Sequence, residues 1–270
     1  MVKKLLIKFK SLALIIIISA IIIFCVWQNN RITITKTDYI NPKIPEEFND
    51  FLIAHISDLH NKQFSKNQKD IVTKLESVTP NAIVITGDLV DRRKYDLDKA
   101  MAFVEGAIDI APVFYVSGNH EAWSGKYSTI EKRLKDAGAH ILDDSVAKLS
   151  IEDSSLLLFG VRDPDFQTSS YMEGTDITEM TNQFNQWSPY KGFKILLSHR
   201  PELFDLYCEH DMDLIFAGHA HGGQFRIPGI GGLVAPDQGL FPKYTGDFYT
   251  ENESTMFVSR GLGNSIFPVR

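Results

Sequence analysis

The chain has 270 residues, a formal net charge of −6 and two cysteines. With Cys25 in an apolar N-terminal run and Cys208 far downstream, an intramolecular disulfide is excluded as a framework. The six basic residues up to Lys36 precede every acidic one, so the rest carries 22 basic against 34 acidic side chains, a formal −12. That balance excludes a basic track for a nucleic-acid backbone, and the densest basic cluster, Arg92-Arg93-Lys94, is flanked by Asp91 and Asp96.

Leu12 to Trp27 is apolar apart from Ser19. As a helix it spans roughly 24 Å, short of the ~30 Å hydrocarbon core of a bilayer. Leu5, Leu6, Ile7 and Phe9 extend it while Lys8 and Lys10 reach back to the interface. A cleaved signal peptide is the rival reading. No small-x-small site follows the run, Phe24 before Cys25 argues against lipoprotein processing, and no twin-arginine pair is present. Residues 1–30 are therefore expected to be an uncleaved membrane anchor. Lys3, Lys4, Lys8 and Lys10 outnumber Arg31 and Lys36, which predicts a cytoplasmic N-terminus and a catalytic domain outside the cell membrane. Residues 31–50, with Pro42 and Pro45, read as a tether. Residues 51–270 are long enough for one well-buried core without staples.

Beyond the tether, short apolar runs alternate with amphipathic ones. Strands are predicted at 51–54, 82–85, 113–116, 193–197 and 214–216, and helices at 66–78, 97–110 and 125–137. This alternation argues for an α/β fold, whose sites form beyond the carboxyl ends of the strands. A polar motif follows each strand. In order they are Asp58-Leu59-His60, Gly87-Asp88 with Asp91-Arg92, Gly118-Asn119-His120-Glu121, Ser198-His199-Arg200, and Gly218-His219-Ala220-His221. Asp58 and His60, like His219 and His221, are two residues apart and share a face of an extended segment. Imidazole, carboxylate and one carboxamide without thiolate suit manganese, iron, zinc or cobalt. Seven such donors exceed one tetrahedral ion but suit two ions sharing a carboxylate, the arrangement that clamps both oxygens of an in-line displacement.

The ordered set D-x-H, G-D-x-x-D-R, G-N-H-E, S-H and G-H-x-H resembles the calcineurin-like metallophosphoesterases, in a branch similar to UDP-2,3-diacylglucosamine hydrolases. The resemblance implies a four-layer αββα sandwich of two mixed β-sheets, preceded here by one transmembrane helix. It implies that Asp58, His60 and His221 hold one divalent ion, that Asn119, His199 and His219 hold a second, and that Asp88 bridges them, with manganese favoured over iron, zinc or cobalt. His120 takes the role of proton donor to the leaving group, Asp91 that of the aspartate orienting it, and Arg92 that of an arginine contacting the phosphate. The expected activity is hydrolysis of a phosphodiester or pyrophosphate of a lipid or cell-envelope substrate, with no nucleic acid and no obligate protein partner. A nucleotide phosphodiesterase or protein phosphatase with the same metals is the alternative, and a non-catalytic scaffold is the alternative of another class.

Five of the eight histidines fall inside the motifs; His55, His140 and His210 keep a structural reading. Asp91 also fits a helix cap and Arg92 a surface charge. Glu121 is expected to support the site from behind, and Arg200 with Glu202 to brace a helix start after Pro201. Residues 222–239, rich in glycine and proline, read as a hairpin beside the site. Phe225, Phe241, Tyr244, Phe248 and Tyr249 read as core or as a substrate wall. A last strand after Gly261-Leu262-Gly263-Asn264 is expected to be shortened or absent.

Overall fold

The computed structural model describes residues 2–168, 174–227, 229 and 231–264, with side chains from residue 8 onward. Helix α1 (Val2–Asn30) includes Lys8–Asn30, which contains an unburied 18-residue window of mean hydropathy 2.8 and is long and apolar enough to cross a membrane. Residues 31–45 form no helix or strand, yet Ile32, Tyr39 and Ile44 pack on the cores that follow.

The predicted alternation is present as β1 (Ile53–Ile56), α2 (Lys69–Glu76), β2 (Ala82–Thr86), α3 (Leu97–Ile108), β3 (Val113–Val116), α4 (Asn119–Trp123), α5 (Tyr127–Ala137) and β4 (His140–Ile141). Strands β1 to β4 lie side by side in chain order, and every pairing is parallel. This sheet is therefore parallel rather than mixed, because each connection between its longer strands is a helical crossover. The second sheet is mixed. It comprises β5 (Ser145–Ile151), β6 (Ser154–Gly160), β7 (Lys194–Leu197), β8 (Leu214–Ala217), β13 (Asp247–Glu251) and β14 (Ser254–Val258), in the order β13-β14-β8-β7-β6-β5. Only its two edge pairings are antiparallel. Helices α6 (Thr178–Trp187) and α7 (Phe204–Glu209) cover its outer face, and two short ribbons lie between β8 and β13: β9 (Arg226–Ile227) with β10 (Gly231–Gly232), and β11 (Val234–Ala235) with β12 (Gly239–Leu240).

Side-chain alternation along the strands builds three cores and hence four layers. Ala82, Val84, Phe114 and Val116 of the first sheet meet Leu158, Ile195, Leu197, Leu214 and Phe216 of the second. Their sequence neighbours Ile83, Ile85, Val113 and Tyr115 point outward against α3, which buries Leu97, Ala100, Met101, Val104 and Ala107 at helical spacing. On the opposite outer face, Phe159, Leu196, Ile215 and Met256 pack against Met180, Phe184 and Trp187 of α6 and Phe204 and Tyr207 of α7. The predicted strands are recovered within two residues at each end. The hairpin β5–β6 and helix α6 carry no element in the sequence reading. Their turn is Glu152-Asp153, with Glu152 at φ 50°, not a glycine-marked pair. The expectation about a strand beyond Asn264 lies outside the described residues.

Candidate metal centre

Every motif emerges at the carboxyl end of its strand, and the two sheets bring these ends together. Asp58, His60, Asp88, His219 and His221 all adopt positive φ, between 47° and 66°. For non-glycine residues such backbone costs about 1–3 kcal/mol each and persists only where surroundings enforce it. Here the loops after β1 and β2 enforce it mutually. Asp58 N–H donates to Gly87 O, His60 N–H to Asp88 O, and Asn61 N–H to Leu89 O. Close backbone approach explains two motif glycines. A Cβ on Gly118 would lie 2.4 Å from Asp88 Oδ1, and one on Gly218 would lie 1.9 Å from Ser57 Oγ.

Two buried clusters result, with Asp88 common to both. Potential ligand atoms of Asp58, His60, Asp88 and His221 lie within 4.8 Å of one another, as do those of Asp88, His199 and His219. Asp88 Oδ1 accepts the His120 backbone N–H at 2.8 Å. Its Oδ2 is left 3.5 Å from His60 Nε2 and 3.3 Å from His199 Nε2, between the two clusters. His60 Nε2 and His221 Nε2 face each other at 3.0 Å, with Asp58 Oδ1 3.4 Å from His221. Asn119 Oδ1 lies 3.1 Å from His199 Nε2. All seven residues expected to be ligands therefore converge.

The donor arithmetic around His199 shows what such a site can hold. His199 Nδ1 lies 2.7 Å from Thr86 O, a carbonyl that only accepts, so Nδ1 carries a proton. Nε2 is then a bare lone pair facing a carboxylate oxygen, a carboxamide oxygen and His219 Nδ1 at 3.1 Å. Acceptors meeting acceptors in a buried space require a cation. Without a metal a proton is the substitute. Burial alone would lower the His199 pKa, but the Asp88 carboxylate overrides it and pushes the group up to about 10. The residues thus fit a dinuclear metal site built from N and O donors.

His120 stands beside this pair, its ring 4.5 Å from that of His60. Its Nδ1 accepts the Arg92 backbone N–H at 3.2 Å, which leaves Nε2 as the protonated nitrogen. Burial holds its pKa below the ordinary value. The expected orienting contact from Asp91 is not a direct hydrogen bond. Asp91 Oδ1 is 3.9 Å from His120 Nδ1 and instead accepts Arg93 N–H at 2.7 Å and Arg93 Nε–H at 3.2 Å. Arg92 is exposed, with its guanidinium 4.3 Å over the Trp123 ring. Glu121 lies behind the ligands, as expected. Its Oε2 accepts N–H from Asp88 and Gly118 at 2.8 Å each, and Oε1 accepts from Val90 at 3.1 Å. Burial and the Asp88 charge push this carboxyl up to about 8, against those three donors.

Sequence reasoning missed an ionic hub behind His219. Arg200 does sit at the start of a helical turn, but its side chain turns inward and is 1% exposed. It pairs with both oxygens of Asp163 at 2.7 and 2.9 Å, with Asp165 at 2.7 Å and with Asp237 at 2.6 Å. Asp237 also lies 2.8 Å from His219 Nε2, and that contact with Arg200 holds its carboxyl down at about 2. The only local signal was a charged residue directly after the ligand His199. His55 keeps its structural reading: it is bonded to Thr86 Oγ1 at 2.8 Å, and burial pushes it down to about 3. Of the clustered aromatics, Tyr244 and Tyr249 join the outer core, while Phe241 and Phe248 are exposed.

A family model for the calcineurin-like phosphoesterases matches residues 51–223, the span that holds every one of the candidate ligands. The metallophosphoesterase YkuE of Bacillus subtilis is 28% identical over 234 residues, 84% of this chain and 77% of the relative. The UDP-2,3-diacylglucosamine pyrophosphatase LpxG of Chlamydia muridarum is 25% identical over 307 residues, 94% of this chain and 91% of its own. Among solved structures, TT1561 of Thermus thermophilus shares the fold with a TM-score of 0.51 at 14% identity, covering 78% of this chain and 89% of that one. The matched span covers well over half of the chain and includes every candidate ligand, so the chain belongs to the calcineurin-like phosphoesterase family of metal-dependent phosphoester hydrolases.

Proposed function

We propose that the chain is a membrane-anchored phosphodiesterase or pyrophosphatase acting on a lipid or cell-envelope substrate. The observation that carries the hydrolytic part is the Asp88 carboxylate, with one oxygen tied to the backbone and the other turned to histidines of both clusters. Asp58, His60 and His221 would hold one divalent ion, Asn119, His199 and His219 the other, and Asp88 both; manganese leads, with iron, zinc or cobalt as alternatives. Bound there, two such ions supply Lewis acidity and a strong nucleophile from water at neutral pH.

The chain's own residues do the rest. His120 presents Nε2–H to the leaving oxygen; to pass that proton on and leave a neutral ring, it would have to take up a second proton, as the imidazolium. Arg92, steadied on Trp123, is exposed and free to swing toward a phosphate oxygen. Glu121 keeps the loops carrying Asp88 and Asn119 at fixed separation through three backbone contacts.

Support for the substrate class comes from the name of LpxG, a relative aligned over 94% of this chain. Support for the anchor comes from the unburied apolar helix Lys8–Asn30. The lysines before it favour a cytoplasmic N-terminus, with residues 51–270 outside the cell membrane. The test uses the full chain in detergent, loaded with manganese. UDP-2,3-diacylglucosamine, bis-nitrophenyl phosphate and nitrophenyl phosphate are compared at equal concentration. Preference for the lipid pyrophosphate is expected. Faster hydrolysis of a plain monoester would overturn the substrate class, and absence of any turnover would favour the scaffold.

A further inference from the structure

His219 has a choice of tautomer, and the residues behind it decide. Its Nδ1 faces His199 Nε2 at 3.1 Å, while its Nε2 has two neighbours at hydrogen-bonding distance, Asp237 Oδ2 at 2.8 Å and Arg200 Nη1 at 3.2 Å; a Glu202 carboxylate oxygen lies farther off, within 4.8 Å of the His219 ring and Asp237, and Glu202 Oε1 is 3.5 Å from the same Nη1. These neighbours make opposite demands. A carboxylate only accepts, which requires a proton on Nε2; a guanidinium only donates, which requires a bare Nε2. We propose that Asp237, held by Arg200, is a positioning carboxylate that fixes the His219 proton on Nε2 and turns the Nδ1 lone pair toward Asp88 and His199. This inference rests on the two-metal reading above and extends it to residues outside the ligand set.

The distances settle the contest. The Arg200 Nη1–H already donates to Asp237 Oδ2 at 2.6 Å, so one oxygen satisfies both donors. A charge-assisted N–H to carboxylate bond is about twice as strong as a neutral one and prefers the shorter contact. Arg200 cannot move aside. Asp163 grips it at two points and Asp165 at a third, with the guanidinium buried. If Asp237 is lost, the fixed Nη1 is the group left at hydrogen-bonding distance from Nε2, since Glu202 stands farther off and Glu202 Oε1 is 3.5 Å from that same Nη1. Nη1 then donates to Nε2 and drives the proton to Nδ1, the atom that must be bare to bind an ion. Carboxylates that hold a ligand histidine in this way typically govern metal affinity about 10–100-fold.

Asp237 sits at φ 56° between β11 and β12, and its side chain is 27% exposed. Glycine adopts that backbone without strain, so Asp237→Gly removes the carboxylate alone. Asp237→Asn keeps an oxygen acceptor, and asparagine also tolerates this backbone. Asp165→Asn takes the same charge from Arg200 without touching His219. The full chain in detergent is titrated with zinc against a competing chelator. Long-range 1H–15N spectra of the zinc-loaded, histidine-labelled protein report which ring nitrogen carries the proton. Asp237→Gly is expected to weaken one of two zinc ions about 10–100-fold and to erase the Nε2–H signature of one histidine. Asp237→Asn should lie between Asp237→Gly and the native protein, and Asp165→Asn should match the native protein. Unchanged zinc affinity and spectrum in Asp237→Gly overturns the proposal. So does an equal loss in Asp165→Asn, which would mean that net charge alone acts. A native chain that binds no zinc overturns the two-metal reading itself, a result distinct from either.

Discussion

The two halves of the metal site are supported in different ways. On the first sheet, Asp58, His60, Asp88 and Asn119 are held by backbone: paired positive-φ loops, a motif glycine with no room for a Cβ, and N–H groups gathered by Glu121. On the second sheet, the loops carrying His199 and His219 are held by charge, through a buried arginine and carboxylates drawn from residues 163, 165 and 237. Backbone support is local and stiff. Ionic support crosses long stretches of chain, and truncating a partner outright leaves a buried charge uncompensated. Damage should therefore spread differently in the two halves.

The largest effect is expected where the halves meet. Asp88 is common to both buried clusters, so Asp88→Asn should abolish turnover and lower bound metal from about two ions to one or none. Metal analysis of the purified variant beside a rate measurement checks this. Full occupancy with near-native turnover would mean that the halves work independently.

Support from behind is the next contrast. Asp163→Ala strips the two-point partner from a buried guanidinium, and breaking a buried ion pair typically costs about 3–5 kcal/mol. Glu121→Gln keeps shape and one oxygen, leaving about one backbone donor unmatched, at roughly 1–3 kcal/mol. For a domain of this size each kcal/mol shifts the melting temperature by about 2–4 °C. Thermal unfolding of both variants should therefore rank Asp163→Ala clearly below Glu121→Gln. Equal shifts would erase the distinction between the two kinds of support.

The same difference decides what could be read from the sequence. The candidate ligands were legible because each follows a short apolar strand at fixed spacing, and spacing within a loop is a local property. The buried strands of an α/β fold were legible because Ala82-Ile83-Val84-Ile85 and its counterparts are apolar on both faces, as buried parallel strands must be; their arrangement in four layers was implied only by the family resemblance. Asp163 and Asp237 were not legible. Nothing in a linear chain ties an aspartate after β6 to another 74 positions later; only the fold closes that distance. The β5–β6 hairpin was lost for a related reason. Its partner-facing side is read only against β7, and its turn lacks glycine.

The smallest effect expected comes from Asp91, and it tests whether backbone support extends to the proton donor. His120→Ala sets the scale, since general acid catalysis typically contributes about 10²–10⁴-fold. That loss should shrink for a nitrophenolate leaving group, which needs little protonation, while metal content stays at the native level. Were Asp91 the group that fixes the imidazole, its replacement would approach that scale, because removing a tautomer-fixing carboxylate costs about 10⁴-fold in the serine-protease triad. The geometry argues otherwise. Asp91 Oδ1 stands 3.9 Å from His120 Nδ1 and is occupied by Arg93, whereas the Arg92 backbone N–H reaches that nitrogen at 3.2 Å. Replacing Asp91 leaves the Arg92 backbone N–H in place. Asp91→Asn also keeps an oxygen for the Arg93 N–H, so the turn that aims the Arg92 N–H should persist. A change in kcat below about tenfold is therefore expected, with similar factors for good and poor leaving groups. A loss of a hundredfold or more, confined to poor leaving groups, would return the orienting role to Asp91 and show that the first half, too, leans on charge.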